Sequence, residues 1–335
     1  LKQHIPLTAS ELTYLWTSYM NASLTKAVSS YFIEKVHDDE IKPIIQEILN
    51  MSYEALDKLT NLFQSDHHPV PKGFTREDVN PDAPKLFTDG FMLEYVLNEC
   101  ALGMNYASMS LDSCTREDVY TYYSNLHSNF NKLHKKALDV SLSKGTYVRP
   151  PIIPTPNDVD FVKKQTFLTG WFGERRPLVA PEISSLYANI KRNALGASLL
   201  TGFSQVASSK EVRSFLLRGI DIAKKHITIF SDILKESDVP VPMGSDTMVT
   251  TSSDISPFSD KLIMYHTNGM IVQGIGFYGY SISVNIRRDI VSHYSRLMGE
   301  VALFCEDGTN IMIKNEWLEE PPQMVDRDAL SKTKK

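Results

Sequence analysis

The chain has 335 residues, 42% of them hydrophobic and 22% charged, with a formal net charge of −5. This length accommodates two domains with ordinary cores, and the acidic balance argues against a general nucleic-acid or anionic-membrane binder, which needs concentrated Lys and Arg. Three cysteines, Cys100, Cys114 and Cys305, form no CxxC pair; they argue against a disulfide framework or a thiolate metal site and point to a reducing compartment.

The start, LKQHIPLTASEL, is polar, shows no signal peptide and lacks Met, so the native N-terminus is expected upstream. Leu12, Leu15, Trp16, Tyr19, Ala27, Val28 and Phe32 then recur at the i, i+3, i+4, i+7 spacing of a helix with one buried stripe. Thr8-Ala-Ser-Glu11 reads as its capping box. A short link around His37–Asp39 leads to a second stripe running from Ile41 to Phe63. HPVPKGF at 68–74 stops this helix, and a Pro-rich stretch of about 20 residues follows with Pro69, Pro71, Pro81 and Pro84. A third helix starts near Phe87 and a fourth near Arg116, with a short link at Cys114–Thr115. Short links make antiparallel hairpins, whereas the long stretch can return along the height of a bundle. The expectation is a ferritin-like four-helix bundle with a long crossover between helices two and three.

Residues 152–178 read as a connector with one helical piece near 158–169, and Trp171 and Phe172 are expected to dock it onto a bundle. VPVPMGS at 239–245 then repeats the earlier motif, with Pro240 lying 171 positions after Pro69. The same offset carries Glu11 onto Glu182, Phe32 onto Phe203, Asp89 onto Asp260, and Arg116, Asp118 and Tyr123 onto Arg287, Asp289 and Tyr294, with no gap needed. The chain is therefore read as an all-α tandem duplication: a first bundle over 1–151, the connector over 152–178, a second bundle over 179–322 and a tail over 323–335. In the second copy, Ser208-Ser-Lys-Glu211 reads as a capping box, Gly244 as the counterpart of Gly73, and Ser256-Pro257 as the start of helix three. The apolar run 269–286 is interrupted by Gln273 and Asn285 and reads as a buried bundle helix rather than a membrane span. Gly274-Ile-Gly276-Phe-Tyr-Gly279 matches GxGxxG but falls inside that helix, where no strand precedes it, so it reads as helix-contact glycine rather than a nucleotide loop. The last five residues, SKTKK, are expected to be disordered.

Di-metal bundles need Glu-x-x-His on two helices and a further Glu on each of the others. Neither copy contains Glu-x-x-His. The first copy keeps a sparse, vestigial set of candidate metal ligands: Glu54, Asp57, Glu99 and His127, with Ser124 where a Glu would stand before His127 and Asn21 on helix one. The matching second-copy positions include Lys225, Thr228, Ser295 and Met298, which no metal would select. His226 and His293 fall at similar heights there, without carboxylates expected beside them.

The duplicated bundle, with FLTGWFGERRPL at 167–178 and NALGASLLTGFSQVASSKEVR at 193–213, resembles an uncharacterised domain-of-unknown-function family of Bacillus-type spore formers. Its members carry tandem ferritin-like bundles and are described as similar to spore coat protein F. The resemblance implies a fold and supplies no catalytic residues. The leading expectation is a cytoplasmic, non-enzymatic bundle protein without a cofactor, with a structural or interaction role and a spore or stress association. Its partner would be an unidentified protein or a second copy, with neither nucleic acid nor a transmembrane segment. The alternative is a ferritin-like metal-binding protein or oxidase that uses iron or manganese in the first bundle. A third reading is a small-molecule carrier with an apolar pocket roofed by Trp16, Tyr19 or Tyr106.

Overall fold

The structure is a computed structural model that describes residues 5–171, 175–242, 248–250 and 253–333. The first copy contains α1 (Ala9–Lys35), α2 (Lys42–Ser65), α3 (Asp89–Ser113) and α4 (Glu117–Ser143); the second contains α5 (Ala180–Val206), α6 (Lys210–Lys235), α7 (Asp260–Val284) and α8 (Arg288–Lys314). A short α9 (Arg327–Thr333) follows. Each copy packs as two helical hairpins, α1 with α2 and α3 with α4, then α5 with α6 and α7 with α8. Within each copy the hairpins are joined by a long crossover, over 66–88 and 236–259. The fold is thus a duplicated four-helix bundle.

Local chemistry explains the helix ends. Thr8 and Glu11 form the expected capping box at the start of α1. Three expected ends need correction. The N-cap of α6 is Ser209, whose hydroxyl accepts from Val212 N; Glu211 instead pairs with Lys314 of α8. The N-cap of α7 is Ser259, so Ser256-Pro257 lies in the crossover and not at the helix start. Ser331–Thr333 of the tail belong to α9 rather than to a disordered end. The connector's helical piece shrinks to one 3-10 turn at Gln165–Leu168, and Trp171 lies 5.5 Å from the His293 ring while staying half exposed. The expectations for Phe172 and Gly244 lie outside the described residues.

The two copies do not stand side by side as independent bundles. Their crossovers pair with each other. Asn80 N donates to Pro257 O at 2.8 Å and Ser259 N to Asp78 O at 3.0 Å; in the reciprocal pair, Thr88 N donates to Met248 O at 3.1 Å and Thr250 N to Leu86 O at 2.9 Å. Val79 faces Phe258 and Val249 faces Phe87, so exchanging the copies reproduces the pairing. Val79 and Val249 are 170 positions apart, so the gapless offset slips by one in the middle of the crossover. The pseudo-twofold axis passes between the equivalent residues Tyr95 and His266, whose Oη and Nε2 lie 2.8 Å apart. This is the geometry of an isologous dimer written into one chain.

Aromatic residues fill the junction. One hydrophobic cluster includes Phe32, Phe87 and Phe91 of the first copy with Phe203 and Phe258 of the second. Tyr31 packs edge-on to Phe258, with ring centroids 5.3 Å apart. Its equivalent is Gly202, where a Cβ would come within 2.5 Å of the Phe87 ring. A large ring on one side and a missing side chain on the other thus let the related phenylalanines fit. Separate clusters close the far end of each bundle, around Leu15, Phe63 and Tyr123 in the first and Leu186, Phe230 and Tyr294 in the second.

Candidate functional site

The four candidate ligands do not gather. Glu54 and Asp57 are exposed on α2, one position before the buried Ala55 and two before the buried Leu59 respectively, and Glu54 lies 3.9 Å from Lys58. His127 is half-buried on α4 but does not line the interior space that Glu99 of α3 faces. Among the described residues, no three His, Cys, Asp or Glu side chains are grouped as a metal ion would need. In the second copy, the expectation that His226 lacks a carboxylate neighbour is corrected. Its Nε2 lies 3.1 Å from Glu300 of α8, and its Nδ1 lies 2.8 Å from the Tyr278 hydroxyl. Lys225 shares that carboxylate at 2.5 Å. Gly274, Gly276 and Gly279 lie inside α7, as the helical reading requires.

The bundle interiors are hollow near mid-height. A chamber of about 120 Å³ opens in the first copy and one of about 130 Å³ in the second. They are equivalents: Ser18, Asn21 and Tyr106 line the first, where Asn189, Arg192 and Phe277 line the second. Leu102 of α3 with Met270 and Gln273 of α7 line both, so helix three of each copy forms the shared wall. Of the aromatic roof expected for a carrier, Tyr106 lines the first chamber, whereas Trp16 and Tyr19 do not.

Sequence drift has given the chambers opposite electrostatics. Among the described residues, Glu99 is the one charged side chain lining the first; it is half-buried, and its carboxyl has neither a hydrogen-bond nor an ion-pair partner. Burial raises its pKa from the usual carboxylate range to about 7. Met270 stands in its place in the second copy. Arg192, which lines the second chamber, lies over the Phe277 ring at 3.6 Å, and desolvation lowers its pKa. Two polar atoms at the chamber walls are left over. Nδ1 of His266 and Oδ1 of Asn189 are buried without a partner, although both residues use their other polar atom. Burial lowers the His266 pKa to about 4, so the ring is neutral near pH 7.

Sequence reasoning placed Glu99 on the correct helix but missed His266, Arg192 and Asn189. The repeat offset held the missing signal, since it pairs Tyr95 with His266, Asn21 with Arg192 and Ser18 with Asn189. The two unpartnered atoms are divided between the chambers, Nδ1 of His266 at the first and Oδ1 of Asn189 at the second.

Comparison with known proteins gives a family. The description Protein of unknown function (DUF3231) matches residues 1–159 and again 166–330. None of the curated proteins matches the chain. Among solved structures, it is similar to a proposed spore coat protein of Bacillus halodurans at 22% identity and a TM-score of 0.41, over 45% of this chain and 98% of that one. Among the described residues, no helix is long and apolar enough to cross a membrane.

Proposed function

Because the chain belongs to the DUF3231 family of proteins of unknown function, in two successive copies, we propose that it is a non-enzymatic, ferritin-like bundle protein with a structural or interaction role. Its setting, cytoplasmic with spore association, is proposed from the resemblance to spore coat protein F. The observation that carries the reading is the reciprocal pairing of the two crossovers, which holds two related bundles in fixed geometry. Such a body presents two similar outer surfaces at once, and joined sites gain avidity without any new contact. The seam between α2 and α4 carries an exposed Lys136–Glu47 pair at 2.7 Å, and the equivalent seam carries Asp307–Arg218 at 2.6 Å. The signs are exchanged while the pairing is kept, so the two faces share a shape and differ in charge pattern.

The test is fractionation of a spore-forming host that expresses the tagged full chain. The reading expects the protein in the extracted spore coat in stable association with a partner or with itself. Stoichiometric iron or manganese in protein purified without chelator, lost in Glu99→Gln, would instead support a metal-binding protein or oxidase and sink the proposal.

A further inference from the structure

We propose that the first-copy chamber is a binding site for one small organic amine, its ammonium seated at Glu99 and its hydrocarbon part on Leu24, Ile48, Met51 and Phe130. This goes beyond the scaffold role and does not depend on it.

Four observations carry the inference. The first is space: about 120 Å³ far exceeds what one water needs, so the hollow is sized for a small molecule. The second is charge. Glu99 is half-buried on the chamber wall, and among the described residues no cationic side chain lines the chamber to pair with its carboxyl. The other titratable groups facing it are Tyr106 of α3, Tyr122 of α4, and Tyr265 and His266 of α7; α1 and α2 contribute only neutral groups such as Asn21 and Ser52. A bound ammonium would supply the missing counter-charge. The third is the orphaned Nδ1 of His266, a residue only 4% exposed that lines the same chamber. When Nε2 donates its proton to Tyr95, Nδ1 is an acceptor, which suits an ammonium with its three donors. The fourth is the contrast with the second copy. There, Met270 replaces the carboxyl and Arg192 lines the chamber, so an ammonium gains nothing and meets a like charge. The proposal therefore specifies one amine per chain rather than two.

The test is isothermal titration of the full chain with n-hexylamine, compared with n-hexanol and hexanoate. Hexylamine is expected to bind at one per chain, at least tenfold more tightly than hexanol. Because the carboxyl must ionise to accept the ammonium, affinity should rise about tenfold from about pH 6 to about pH 8, with proton release seen as a dependence on buffer ionisation heat. Glu99→Gln should weaken binding at least tenfold, as should Glu99→Met, which installs the side chain that the second copy already accommodates. The exposed control Glu34→Gln should leave it unchanged. Folding of each variant is checked by circular dichroism. Equal binding of hexanol, preference for hexanoate, two amines per chain, or undiminished binding in a folded Glu99→Gln variant would each overturn the proposal. So would no binding at all to the folded wild type, or a bound manganese ion that hexylamine does not displace.

Discussion

Glu11 is fully buried, and its carboxylate accepts from Thr8 N, Thr115 N and Arg116 N, each at 2.9 Å. One side chain therefore caps α1 and α4 together. Burial pushes its pKa up, but these hydrogen bonds outweigh burial and hold it at about 2. The folded state thus ionises more readily than the unfolded chain. The stabilisation is complete above about pH 4.5 and is lost as pH falls toward 2. Glu11→Gln is expected to cost about 2–3 kcal/mol at neutral pH, measured by urea unfolding, with a shallower loss of stability below about pH 4.5. Parallel wild-type and variant profiles would contradict this.

Glu99 has the opposite sign. Its folded pKa of about 7 lies above the unfolded value of 4.5, so its cost is absent below about pH 4.5, grows as pH rises from there to about 7, and levels off above. Glu99→Gln should gain roughly 1–3 kcal/mol near pH 8 and nothing near pH 4; an equal gain at both would show that burial of the charge is not the cause. The repeat offset made Glu11, Asp89, Arg116 and Asp118 legible as shared positions, and the structure shows why they persist. Asp89 accepts from His37 N and Asp38 N in the first hairpin turn, and Asp260 accepts from Ser208 N and Ser209 N in the second. Arg116 and Arg287 each grip the aspartate two residues on. Glu54 and Asp57 misled because type and helix were right while the helical phase was not.

At the scale of elements, helix existence was readable from periodicity, because one buried stripe leaves a strong pattern, and the crossover from the length and prolines of the link between helices two and three. Helix ends were less so. At Ser208-Ser209 either serine could cap, and the choice was decided by tertiary partners: Asp260 holds both backbone amides and Lys314 takes Glu211. The Pro-Val-Pro-Lys-Gly joint shows a similar dependence. Gly73 has a φ of 63°, its N–H donates to Glu319 at 2.8 Å, and a Cβ there would lie 2.5 Å from Ser23 Oγ. Gly145 has a φ of 68° but open space around it. The pair separates backbone strain from steric overlap. Gly145→Ala should cost ~1–2 kcal/mol, from the left-handed conformation alone. Gly73→Ala should cost that plus a further ~1–3 kcal/mol for overlap with α1. Equal losses in chemical denaturation would mean that the chain moves away from Ser23 without penalty.

At the scale of the whole molecule, sequence periodicity announces two bundles but says nothing about how they meet. The junction is built from contacts between residues more than a hundred positions apart, such as Phe87 with Phe203 at 6.2 Å and Tyr95 with His266. No local pattern encodes such pairs; only the offset hints that equivalent positions could face each other across an axis. A shared core makes a mechanical claim, because two domains with separate cores would unfold separately, whereas one cluster spanning both couples them. Phe203 tests it. The residue belongs to α5, is fully buried, and packs against Phe87 of the other copy as well as Phe258 and His266 of its own. Phe203→Ala should cost ~3–5 kcal/mol. Hydrogen exchange then reads where that loss is felt. If the core is shared, amides of α1 and α3 lose protection along with those of α5 and α7, and denaturant unfolding stays a single transition by every probe. If protection falls only across α5–α8 and a second transition splits away, the bundles are separate bodies and the crossover pairing is a contact rather than a weld.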